Sequence, residues 1–311
     1  MSTGEAAVAV RQLVKSYGRV LAVNSVSFEV AKGEVFALLG PNGAGKTTTV
    51  EIMEGFRRPD NGTVRVLGYD PSNRATARAM RERLGVVLQE LAVEPFLTVR
   101  EVLERNAGFY PRSRNVDEII DLIGLTAKAG ARVKTLSGGQ QRRLDLGLGI
   151  VGDPEVLFLD EPTTGFDPSA RREAWDIVRA LSRGGATVIL TTHYMDEAEA
   201  LADRVAVIAS GQIVAEGTPR SIGGRDVSEA TIRFELADGH VMSELPLRDA
   251  GSLHRGERGE VVIHTPDAVP VLASLTNWAT SNGTDLVGLT VERLTLEDIY
   301  LRLTGYNGVQ P

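Results

Sequence analysis

The sequence predicts an α/β fold on a mostly parallel sheet, followed by a smaller α+β module. Three observations carry this. A short apolar run at residues 34–39 leads through a glycine-rich loop into a helical pattern at 45–55. Two more strand-length runs, 156–159 and 187–191, are leucine-rich or β-branched, as central parallel strands are, with helical patterns between and after them. The charge is also uneven. The chain has 311 residues, 34 basic and 41 acidic side chains and a net charge of −7. Residues 223–311 hold seven arginines, no lysine and thirteen acids, a net −6. That shift, with the stretch PRSIGGR at 219–225 as a linker, places a first domain at 6–222 and an accessory domain at 226–311.

In chain order, residues 6–14 and 20–30 alternate apolar and polar and read as strands broken by Ser16-Tyr17-Gly18. After the first helix come a turn at 57–62 (RRPDNG), a strand at 62–67, a basic helix at 75–83 and a buried strand at 85–89. Helices follow at 98–108 and 116–123. Residues 135–139 open an amphipathic helix at 140–151, and helices at 169–182 and 195–202 flank the strand at 187–191. Residues 204–209 and 212–217 close the first domain as a hairpin around Ser210-Gly211. Beyond the linker, strands are expected at 230–236, 259–264 and 286–293, and helices at 267–282 and 295–305.

Composition excludes several classes. An apolar fraction of 42% buries a real core, so the chain is not disordered throughout. With no cysteine there is no disulfide framework, iron–sulfur cluster, thiolate zinc site or cysteine nucleophile. A net acidic chain without a basic face is a poor nucleic-acid binder, so no nucleic-acid partner is expected. The longest apolar runs are far below the roughly 18 residues of a spanning helix. The N-terminal stretch also lacks a basic segment followed by an apolar core. The expectation is a cytoplasmic protein whose membrane part, if any, is another chain.

The strongest motif is Gly40-Pro41-Asn42-Gly43-Ala44-Gly45-Lys46-Thr47-Thr48, which fits G-x-x-x-x-G-K-[ST] between a strand and a helix. Glycines there let successive N–H groups converge on a phosphate, and the helix N-terminus adds its positive dipole end. Lys46 would face the β- and γ-phosphates, and the Thr47 hydroxyl would bind magnesium. Another apolar strand ends in Asp160-Glu161, putting both acids at the carboxyl edge of a parallel sheet. Asp160 would hold magnesium, and Glu161 would polarise the attacking water. A third element, Leu136-Ser137-Gly138-Gly139-Gln140, opens a helix. Taken alone it is an ordinary cap with Ser137 at its start.

Phosphate loop, LSGGQ and acidic strand in this order resemble the ATP-binding subunits of ABC transporters. The resemblance covers residues 6–222. It implies a P-loop NTPase nucleotide-binding domain: a RecA-like core with a helical and an antiparallel β subdomain. It further implies a head-to-tail homodimer in which each Mg·ATP lies between one chain's phosphate loop and the signature Ser137, Gly138, Gly139 and Gln140 of its mate. By the same resemblance Tyr17 stacks on adenine, Gln89 reports on magnesium and the attacking water, His193 contacts the γ-phosphate, and Asp167 lies at the dimer interface. Without the resemblance, Tyr17 is an edge-strand tyrosine and Gln89 an unremarkable glutamine. Phe166, in place of a usual leucine, and Gly147 and Gly149, in place of alanines, depart from the pattern, and each glycine should cost its helix about 1 kcal/mol.

Softer segments narrow the type: Glu51-Ile52-Met53-Glu54-Gly55, Gln89-Glu90, residues 192–198 (THYMDEA) and 294–301 (LTLEDIYL). They are similar to the daunorubicin- and tetronasin-resistance ATPases of ABC-2 exporters. The resemblance implies an ATPase at the cytoplasmic face of the membrane, attached to a separate ABC-2-type permease and driving efflux of drugs or other amphipathic compounds. Residues 91–103 would be the docking surface. A lipid or glycan exporter, an importer and a soluble cassette ATPase are the alternatives. The accessory domain could be regulatory, dimer-stabilising or structural.

Overall fold

Runs of valine, isoleucine and leucine too short for helices become the strands of two sheets in the first part of the chain. The computed structural model describes residues 6–87, 93–237, 239–247, 251–256 and 259–304. It divides into two units, 1–219 and 220–311.

The first unit opens with the hairpin β1 (Ala6–Tyr17) and β2 (Val20–Ala31), followed by β3 (Val35–Leu39) and α1 (Lys46–Met53). Next come β4 (Asn61–Val66), α2 (Ala77–Arg81), β5 (Leu84–Val87), α3 (Val99–Ala107), α4 (Val116–Leu122) and α5 (Gly138–Ile150). The unit ends with β6 (Val156–Asp160), α6 (Pro168–Arg183), β7 (Thr187–Thr192), α7 (Met195–Leu201), β8 (Arg204–Ala209) and β9 (Gln212–Gly217). The larger sheet has the order β5-β6-β7-β3-β8-β9, parallel except for β9. Every residue of β3, β6 and β7 is buried, which explains why these strands read as continuous apolar runs. The smaller sheet, β2-β1-β4, is antiparallel. One core joins the two sheets, with Phe28 stacked on Phe36 at 5.0 Å.

Register positions the site. Leu39 pairs with Thr192 and Asp160 with Thr191, so the loops after β3, β6 and β7 leave the sheet from one carboxyl edge, where open α/β sheets bind ligands.

Three local differences from the sequence reading have physical causes. β1 runs three residues past its expected end, because Gln12 has a positive φ of 49° and the register slips on both sides of Leu13. The bulge interrupts the alternation without ending the strand. Packing calls for glycine at Gly149 and crowds any side chain at Gly147. A Cβ on Gly149 would lie 2.5 Å from Val87 Cγ2, and one on Gly147 2.9 Å from Ile123 Cδ1. Across that interface a Cβ on Gly85 would meet the Gly149 carbonyl at 2.0 Å, so α5 and β5 touch backbone to backbone. The strand expected at 85–89 is described only to Val87, and Gln89 lies outside the described residues.

The second unit contains β10 (Ala230–Leu236), β11 (Ser252–Arg255), β12 (Val261–Thr265), α8 (Ala268–Asn282), β13 (Leu286–Glu292) and α9 (Leu296–Thr304). Its antiparallel sheet has the order β11-β12-β10-β13. Ile232, Phe234 and Ile263 of the sheet share a core with Val271, Leu275 and Ala279 of α8. β11, with the sequence SLHR, carries no strand signal of its own and lies outside the strands the sequence predicts. The division between units falls at Pro219–Arg220, three residues before the expected end of the first domain at 222. Residues 222–227 form a kinked 3-10 turn held to the last helix and to the segment just before it. Arg302 donates to the Gly223 carbonyl at 2.9 Å, and Arg225 to that of Leu294 at 2.7 Å.

Candidate nucleotide-binding and catalytic site

The loop between β3 and α1 curls because two of its glycines take left-handed backbone, Gly43 at φ 80° and Gly45 at φ 102°. It is also pressed from behind. A Cβ on Gly45 would lie 2.3 Å from the Ala22 carbonyl, and one on Gly40 2.4 Å from that of Ile208. Lys46 is buried and donates to the carbonyls of Gly40 at 2.8 Å and Pro41 at 3.2 Å, with Nζ 3.6 Å from Glu161 Oε1. Burial lowers the Lys46 pKa, and the neighbouring Glu161 and Asp160 oppose that shift.

Thr47 Oγ1 lies 3.5 and 3.4 Å from the two carboxylate oxygens of Asp160, which also accepts from the Thr191 hydroxyl. Glu161, the next residue, has φ 48°. This left-handed backbone costs a non-glycine residue on the order of 1–3 kcal/mol and is typical of functional sites. Its N–H is held by Thr191, at 3.2 Å from the carbonyl and 3.1 Å from the hydroxyl. Its carboxylate accepts from Thr164 Oγ1 at 3.2 Å and faces His193 Nδ1 at 3.3 Å.

A cavity of about 520 Å³ opens over the loop, lined by Tyr17, Asn42, Gly43, Gly45, Lys46, Thr47, Thr48 and Glu161 among others. Gly40, Pro41 and Ala44 shape the loop without lining the cavity. Tyr17 is 41% exposed, with Lys15 Nζ 5.7 Å and the Arg57 guanidinium 5.5 Å from its ring centre. The partly exposed ring offers apolar surface to a flat ligand, and the two nearby cations favour one that carries negative charge.

Ser137 caps α5 as the sequence implied, and the cap is reciprocal. Its hydroxyl accepts from the Gln140 N–H at 3.3 Å, and the Gln140 side chain accepts from the Ser137 N–H at 3.0 Å. Gly138 and Gly139 line a second cavity of about 490 Å³ together with Arg142, Glu161 and Asp167. Asp167 caps α6, its Oδ1 accepting from the N–H groups of Ser169 and Ala170, both at 2.9 Å. The lining of the two cavities has Glu161 in common and no other described residue. One chain therefore does not bring its phosphate loop and its signature turn around the same space.

Several residues here escaped sequence reasoning. Arg142 reaches the carboxyl end of β6, whereas Arg143 turns to Gly124 and Glu173. Glu197 is fully buried and accepts from Thr163 at 2.8 Å and Trp175 at 3.2 Å. Glu54, at the end of α1, is buried and its pKa is pushed up to about 8, first by desolvation and then by Asp160 and Glu51. A carboxyl with a raised folded-state value binds its proton more tightly when folded. Stability is therefore expected to fall as pH rises from about 4.5 to about 8, by on the order of 4 kcal/mol. Glu54→Gln should flatten that slope, as read from urea unfolding midpoints across pH.

The ABC transporter family profile matches residues 23–164, and that of the ABC transporter domain-containing protein-like C-terminal domain matches residues 230–295. The Nod factor export ATP-binding protein I of Paraburkholderia xenovorans is 42% identical over 310 residues, 97% of this chain and 98% of that protein. The chain belongs to the ATP-binding subunits of ABC transporters. Similar members include a daunorubicin resistance ATP-binding protein of Streptomyces coeruleorubidus, 36% identical over 97% of this chain and 96% of that one. A linearmycin resistance ATP-binding protein of Bacillus subtilis is 35% identical over 94% and 96% respectively. Among solved structures, the ADP conformation of an ATP-binding cassette of an ABC transporter superposes with TM-score 0.62 at 27% identity, covering 69% of this chain and 91% of that one. The first unit is thus a nucleotide-hydrolysing ABC cassette, and ABC ATPases of this kind work in pairs with a membrane permease. Among the described residues no helix is long and apolar enough to cross a membrane.

Proposed function

We propose that this ABC subunit hydrolyses Mg·ATP at a head-to-tail homodimer interface and thereby powers efflux of an amphipathic compound through a separate ABC-2-type permease at the cytoplasmic face of the membrane. The observation carrying the catalytic part is the Glu161 carboxylate, set between Lys46, Thr164 and His193 at the sheet edge beside Asp160. The export part is supported by relatives named for Nod factor export and for drug resistance.

The Thr47 hydroxyl and the Asp160 carboxylate, from two elements and within 3.5 Å of each other, are hard oxygen donors that fit a magnesium ion. When bound, magnesium neutralises charge on the phosphate oxygens. Lys46 contributes the protein's own positive charge at the phosphates, and the N–H groups of residues 43–48 hold the phosphate oxygens. Glu161 accepts the proton of the attacking water at its carboxylate, and His193, 3.3 Å away, fixes where that water stands. Tyr17 gives the adenine a face to stack on. Gln89 is proposed to complete the water-side contacts.

The separation of the two cavities makes the dimer necessary in this reading: Ser137, Gly138, Gly139 and Gln140 serve the ATP bound by the partner, with Asp167 beside them. The decisive test is assembly. Glu161→Gln protein saturated with Mg·ATP should double in mass by light scattering, and Mg·ADP should leave it monomeric. A protein that stays monomeric with ATP even when its permease is supplied refutes the head-to-tail reading.

A further inference from the structure

Arg142 lies one turn into the signature helix, yet its guanidinium does not face solvent. It is mostly covered, and its hydrogen bonds fan out over the end of β6. Nε donates to the Pro162 carbonyl at 3.1 Å, and Nη2 lies 3.4 Å from the carbonyls of both Asp160 and Glu161. Nη1 donates to Asp145 Oδ2 at 2.7 Å, one turn further along the same helix, and both side chains of that pair are 11% exposed. A planar group with five donors in a fixed fork can hold several acceptors at once; a lysine ammonium on a flexible stem cannot reproduce that fan.

The segment it grips is the strained one. Glu161 has left-handed backbone, and the carbonyls on both sides of it belong to the residues Arg142 holds. Arg142 and Glu161 also line the same cavity as the signature glycines. The guanidinium thus ties the helix that begins with Ser137 and Gly138 to the peptide that aims the Glu161 carboxylate.

We propose that Arg142 is a positioning residue coupling the two ATP sites of the dimer. This rests on the head-to-tail reading above, in which a chain's signature turn serves its partner's ATP while its Glu161 serves its own. Engagement of the signature turn at one site then sets, through Arg142, the backbone that orients the general base of the other. The Asp145 carboxylate keeps the guanidinium from swinging away from the strand end.

The test uses the intact subunit with its permease. Wild type should show a Hill coefficient for ATP hydrolysis above about 1.5. Arg142→Met should bring it to about 1 and lower kcat roughly 10²-fold, the cost of a misplaced reacting group, with nucleotide affinity changed less than about threefold because no phosphate contact is lost. Arg142→Lys, which retains charge and bulk, guards against misfolding: it should melt like wild type and still lose cooperativity. A Hill coefficient unaltered in both variants, or already about 1 in wild type, overturns the coupling. Light scattering of Glu161→Gln with Mg·ATP separates the two ideas: if the dimer forms and cooperativity is indifferent to Arg142, only the coupling fails, and if no dimer forms, both fail.

Discussion

Replacing Glu161 by alanine is expected to lower ATP turnover by about 10²–10⁴-fold, the range contributed by a positioned general base. ATP affinity should stay within a few-fold of wild type. The prediction follows from placement. The carboxylate stands 3.6 Å from Lys46 Nζ and 3.3 Å from His193 Nδ1, at the edge of the phosphate-loop cavity rather than inside the loop. Its removal takes a proton acceptor from the water side and leaves every loop N–H in place. Single-turnover hydrolysis and a nucleotide titration on the same preparation separate the two effects, and retained hydrolysis would remove Glu161 from the role proposed for it.

Lys46→Ala should do the opposite, costing about 10²-fold in ATP affinity. Hydrogen bonds to charged groups are worth about 1.5–3 kcal/mol each, and every 1.4 kcal/mol is a factor of ten in binding. The amine is already buried and held by two loop carbonyls, so the loop orders its one cation before any phosphate arrives. The fold should survive its loss, since burial disfavours the charged amine to begin with. An unchanged ATP titration would contradict the phosphate-loop assignment.

Much of the site was legible because its chemistry depends on spacing along one segment. The phosphate loop, the acids ending β6 and the Ser137 cap are local patterns, and local patterns survive without knowledge of the fold. Contacts between segments were not legible. Nothing in QQRR says that Arg142 rather than Arg143 turns inward; the direction of α5 over the end of β6 decides it. Glu54 reads as one more acid in a helix, and the upward shift of its pKa comes first from the burial of its position. Gly147 and Gly149 look like weaknesses until α4 and β5 are placed against them. Asp167 followed by proline is a helix-start signal in its own right, and Asp167 does cap α6. The β11 strand of the second unit carries no pattern of its own and exists because β12 offers it an edge.

The backbone angle at Glu161 has a consequence for how such a subunit can change. Glycine at that position would relax the chain, and a carboxylate is what the proposed chemistry demands, so durability and throughput pull against each other at a single residue. Drift from the acid to glycine, and to no other side chain, would release that backbone cost, and only the continued need to spend ATP would hold it back.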